Sequence, residues 1–135
     1  MRTILFLSMM LAASVVGAQN KLTVVVDGIE NPKGKILVAV FDSINFLKQP
    51  VYYGMAKIEE GQEEVTVVIE NVVSGNYAIT LFQDENDNGK LDMGAFGPTE
   101  KYGFSNNVLP NMGPPTFQEC MFTIEEDMEI NITLR

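Results

Sequence analysis

Residues 65–81 read VTVVIENVVSGNYAITL. Val65, Val67 and Ile69 alternate with Thr66, Val68 and Glu70, which is the period-two pattern of a half-buried strand. Ser74-Gly75-Asn76 turns the chain, and Tyr77, Ile79 and Leu81 resume the alternation. Gly75-x-Tyr77 at the start of the second run has the form of a tyrosine corner, whose phenol bonds back to the backbone and locks a strand crossover. An ordinary aromatic on a core face satisfies the same pattern.

Working outward, the same period recurs. Leu22, Val24 and Val26 alternate with Thr23, Val25 and Asp27, and Ile36, Val38 and Val40 form a run that is apolar on both faces. The turn signal Asn31-Pro32-Lys33-Gly34 between these runs predicts a hairpin. Asp42 to Pro50 is irregular, with Ile44, Phe46 and Leu47 forming a short helical turn or capping the core. Val51 to Ile58 is a weaker strand interrupted by Gly54. Phe117 to Ile124 and Met128 to Leu134 are expected to be a final pair of strands around Glu125-Glu126-Asp127.

Residues 84–115 break the pattern. They hold five of the eleven glycines, with Pro98, Pro110, Pro114 and Pro115. Long irregular segments of this kind are usually functional. About seven strands, no helix and turn signals every 8–12 residues in most of the chain predict an all-β fold. The expected architecture is an antiparallel β-sandwich, immunoglobulin-like or transthyretin-like, with one long loop over about 84–115.

Composition narrows the chemistry. The chain has 135 residues, one cysteine, no histidine and a net charge of −9. Without histidine there is no Ser-His-Asp system and no His-ligated zinc. One cysteine permits neither a four-cysteine zinc site nor an intrachain disulfide. Cys120 is expected to be a buried small hydrophobe. The acidic balance excludes a nucleic-acid partner, which needs surplus Lys and Arg. Arg2, the apolar run Ile4 to Leu11 and the small residues Val16-Gly17-Ala18 have the layout of a secretory signal peptide. The domains are therefore a signal peptide over 1–18 and a single sandwich over 19–135, with a periplasmic or extracellular destination. No membrane span is expected after cleavage. Loss of Arg2 leaves eight basic against eighteen acidic residues, a net charge of −10.

The strongest local signal is Asp84-Glu85-Asn86-Asp87-Asn88-Gly89-Lys90-Leu91-Asp92. Oxygen side chains fall at positions 1, 3, 5 and 9 of a loop, with glycine at position 6, as in the first part of an EF-hand-type calcium loop. Calcium takes six to eight oxygens, and alternate residues of a tight loop can point inward together. Asp84, Asn86, Asn88 and Asp92 would give side-chain oxygens and Lys90 a carbonyl. Position 12, normally a bidentate Glu, is Ala95, and the preceding element is a strand. A carboxylate from Glu85, Asp87 or Glu100, or a water, would complete the shell. Asp, Asn and Gly also favour turns without any ion.

Gly97 to Asn107 is the second feature. Glu100, Tyr102, Phe104, Asn106 and Asn107 form a candidate ligand surface, with the aromatics as platforms and the asparagines as anchors for an extracellular glycan or protein. The alternative is a segment packed over one end of the sandwich. A small carbohydrate-active or hydrolytic enzyme would instead pair Glu100 with Asp84 or Asp92 as acid and base. A binding or structural module, not an enzyme, is the expectation.

Phe82-x-Asp84-Glu85-Asn86-x-Asn88-Gly89-Lys90-x-Asp92, followed by Gly97-x-x-Glu100-x-Tyr102-Gly103-Phe104-Ser105-Asn106-Asn107, resembles the bacterial DUF2141 family. Gly34-x-Ile36-x-Val38-Ala39-Val40-Phe41 and Gly113-Pro114-Pro115-x-Phe117 fit it as well. The resemblance implies a secreted, single-domain β protein with no assigned activity. Residues 72–92 are also similar to the transthyretin-like modules appended to carboxypeptidases and adhesins.

Overall fold

In a computed structural model, residues 19–135 are described, and residues 1–18, where a signal peptide is expected, lie outside the described residues. The alternating runs become β1 (Gln19–Asp27), β2 (Lys35–Phe41), β3 (Tyr52–Lys57), β4 (Val65–Val73) and β5 (Gly75–Asp84). Shorter strands follow: β6 (Met93–Gly94), β7 (Gly97–Pro98), β8 (Tyr102–Phe104), β9 (Phe122–Ile124) and β10 (Met128–Thr133). One sheet has the order β10-β1-β4, and the other has β3-β2-β5-β8, with β9 paired to the start of β5. The fold is the all-β sandwich that the alternation predicts.

The inward faces carry β-branched and aliphatic residues. Val24, Val26, Val67, Ile36, Val38 and Ile79 are buried between the sheets. Each such side chain contributes about 1.5–3 kcal/mol of transfer free energy. The tyrosine corner is present, with the Tyr77 hydroxyl donating to the Val73 carbonyl at 2.6 Å. Gly103 lets β8 lie close to β10, because a Cβ there would approach Ile132 Cγ2 to 2.7 Å. Tyr102 and Phe104, its neighbours in β8, therefore face away from the core, side by side with ring centroids 5.8 Å apart.

Three expectations need correction. First, β1 and β2 are not a hairpin. They lie in opposite sheets, where β1 pairs antiparallel with β4 and β2 with β5. Second, the last two strands do not pair with each other. β9 pairs with β5, and β10 runs parallel to β1, the one departure from antiparallel pairing among the described strands. Third, the run from Phe117 is not strand from its start. A short helix, α1 (Phe117–Cys120), precedes β9. Thr116 Oγ1 accepts from the Glu119 N–H and Glu119 Oε2 accepts from the Thr116 N–H, a reciprocal capping box. Cys120 is completely buried in this turn, as expected of a small hydrophobe. The segment 84–115 is also more ordered than a plain loop, since it holds the β6–β7 hairpin, β8 and a 3₁₀ turn at Ser105–Asn107. In the irregular segment after β2, the Phe46 ring packs edge-on between Phe41 and Phe117, at 5.8 and 5.7 Å. Among the described residues no helix is long and apolar enough to cross a membrane.

Candidate functional site

β5 ends at Asp84, which delivers this residue to the rim of the sandwich, fully buried. Its carboxylate closes the turn that follows, with Oδ1 accepting from the Asn88 N–H at 3.2 Å and Oδ2 from the Gly89 N–H at 2.8 Å. Gly89 has φ +74°, a left-handed conformation that glycine adopts without steric cost. Asn86 Nδ2 donates to Asp92 Oδ2 at 2.6 Å and Asn88 Nδ2 donates to Asp92 Oδ1 at 2.7 Å. The Asn88 amide, then that of Asn86, holds the Asp92 carboxyl below its ordinary pKa. Lys90 is tied in through its N–H, which donates to Asn88 Oδ1 at 3.0 Å.

The predicted loop residues are thus brought together, but in two groups. Asn86 and Asn88 converge on Asp92 side chain to side chain, while Asp84 addresses the Asn88 and Gly89 N–H groups. Asp87 lies outside both groups and pairs with Lys35 at 3.6 Å. Ala95 is exposed between β6 and β7. Among the described residues no three His, Cys, Asp or Glu side chains gather closely enough to hold a metal. A cation site here has to take part of its side-chain oxygen from the two asparagines.

Glu100 has a role that sequence spacing does not display. Its buried carboxylate accepts from the Glu85 N–H at 2.8 Å and from the Asp92 N–H at 2.9 Å. It therefore latches the two ends of the loop, helped by the Thr99 N–H, which donates to the Asp92 carbonyl at 2.8 Å. The asparagines of the second segment also serve the backbone. Asn106 Nδ2 donates to the carbonyls of Glu119 and Met121, and Asn107 Oδ1 accepts from the Thr133 N–H. Both have left-handed φ, at 61° and 51°. Buried Ser105 joins the same junction, accepting from the Ile79 N–H and donating to the Cys120 carbonyl.

Tyr102 and Phe104 differ from these neighbours. They line a cavity of about 520 Å³ between the outer face of the second sheet and the 84–115 segment. Asp84, Asp92 and Glu100 are not among its lining residues. The Asp84 and Glu100 carboxylates are turned into backbone hydrogen bonds rather than across an open cleft.

A family model described as an uncharacterized protein conserved in bacteria, DUF2141, matches residues 24–132. No curated protein and no solved structure matches the chain.

Proposed function

The chain belongs to the DUF2141 family, and we propose that it is a secreted β-sandwich binding module whose Asp84–Asp92 loop takes calcium. One observation carries this reading. The Asn86 and Asn88 side-chain amides both converge on Asp92, at 2.6 and 2.7 Å, in the turn that the buried Asp84 carboxylate shapes. The amide groups of Asn86 and Asn88 now present their NH₂ ends to Asp92. A half-turn of each amide presents oxygen instead, and a cation then takes the place of the amide hydrogens. The remaining lone pairs of the Asp84 carboxylate, the Lys90 carbonyl and water complete the shell, while Glu100 holds the loop ends through the Glu85 and Asp92 N–H groups. Residues 1–18, read as a signal peptide, support delivery to a compartment where calcium is abundant.

Two formal carboxylate charges, Asp84 and Asp92, make this a weak site. Affinity drops as the number of charged ligands drops, and extracellular modules bind at about 10⁻⁴–10⁻³ M. Calcium at roughly ten times the Kd would add about 1.4 kcal/mol of stability by mass action. Calorimetric titration with calcium, run on the protein and on Asp92→Asn, tests the reading. A single-site heat that Asp92→Asn abolishes is expected. No heat, or the same heat from the variant, contradicts it.

A further inference from the structure

The 520 Å³ cavity is walled by Phe82, Tyr102 and Phe104 from the sheet and by Leu91, Met93 and Pro98 from the segment above it. No charged side chain lines it, and Thr80 and Tyr102 bring the only polar side-chain oxygens among its lining residues. Its size lies within the range of ligand pockets, about 300–1,000 Å³. A second hollow of about 200 Å³ adjoins it on the same sheet face, lined by Leu37, Ala39 and Tyr53, and shares Thr80 and Phe82 with the first. The apolar space therefore runs across the sheet from the β5–β8 side to the β2–β3 side. A concave, mostly apolar pocket with a few polar groups is the usual form of a small-molecule site.

Charge selects the occupant. Asp92 sits in the chain between the lining residues Leu91 and Met93, in a loop that carries Glu85 and Asp87 against the single cation Lys90. The whole chain has a net charge of −9. No residue lining the cavity is cationic, so an anionic head group placed in it loses hydration and gains no ionic partner there.

We propose that this cavity binds an elongated, uncharged apolar molecule of the long-chain alcohol, ester or isoprenoid class, in preference to a fatty acid anion. The inference stands apart from the calcium reading, and binding is measured both with a chelator and with calcium. N-phenyl-1-naphthylamine, an uncharged fluorescent probe, is titrated into the protein and displaced with dodecan-1-ol or with dodecanoate. Saturable one-to-one binding is expected, with dodecanol displacing the probe at concentrations about tenfold or more below dodecanoate. Thr80→Trp, an outward position on β5 where an aromatic suits a strand, fills the shared wall and lowers probe affinity about tenfold or more. Leu47→Asp places a charge on a half-exposed wall residue without touching the core and has the same effect. Non-saturable fluorescence, equal displacement by dodecanoate, or unchanged binding by both folded variants overturns the proposal. If Thr80→Trp does not fold, Leu47→Asp alone decides.

Discussion

Glu100→Gln isolates the latch that closes the acidic loop. In the parent, one carboxylate oxygen accepts from the Glu85 N–H at 2.8 Å and the other from the Asp92 N–H at 2.9 Å, with the side chain only 7% exposed. The amide replacement keeps one acceptor oxygen. Its NH₂ end then faces a second N–H donor, so one hydrogen bond to a charged acceptor is lost and the other becomes neutral. Hydrogen bonds to charged groups contribute about 1.5–3 kcal/mol, and an unpaired buried donor costs a similar amount. A local loss of about 2–3 kcal/mol raises the opening equilibrium, and with it the exchange rate, roughly 30- to 150-fold, at about tenfold per 1.4 kcal/mol. Hydrogen exchange followed by NMR reads this at the amides of residues 85 and 92, with core amides such as Val24 and Ile36 as internal controls. Unchanged exchange at both loop amides would refute the latch. The variant also separates a latch from a catalytic acid, because only a latch changes backbone protection in the absence of any substrate.

Tyr77→Phe removes the 2.6 Å bond to the Val73 carbonyl and should cost about 1 kcal/mol in urea denaturation. Burial, with the Tyr52 phenol beside it, pushes the Tyr77 pKa up from 10.0 to about 12. The stability tied to that raised pKa is therefore present below pH 10 and is lost as the pH climbs toward 12. The gap between parent and Tyr77→Phe should narrow over that window, and a constant gap would count against the corner. Burial, and then the Glu119 charge, pushes the Cys120 thiol up to about 11. A thiol reagent at neutral pH should therefore modify it only in denaturant. Rapid labelling of the folded protein would contradict its placement.

Much of the sandwich is legible because alternation reports burial directly. Val65 to Ile69 and Tyr77 to Leu81 occupy the strands and faces that their spacing predicts. Alternation says which face a residue takes, but not which strand lies beside it. That is why the turn at Asn31 to Gly34 suggests a hairpin, although the chain there crosses between sheets. The parallel pairing of β10 with β1 joins opposite ends of the chain and leaves no local trace. The α1 helix did leave one, since Thr116-x-x-Glu119 is a capping-box pattern directly after Pro114-Pro115. At the site, the turn chemistry of Asp84 to Gly89 is visible in the spacing of Asp, Asn and Gly. The latch by Glu100 is not, because the two N–H groups it serves lie 15 and 8 residues away. The apolar cavity is equally silent in the sequence, since its walls come from residues as distant as Leu47 and Pro114.

The most direct test of calcium binding by the Asp84–Asp92 loop is a calcium titration followed by amide chemical shifts. The predicted result is a saturable change concentrated at Asp84 to Asp92 and at Glu100, with the Asn86 and Asn88 side-chain amides moving as they turn away from Asp92. Absence of change there, or shifts spread evenly over the other acidic turns at Glu59-Glu60 and Glu125-Glu126-Asp127, would contradict it.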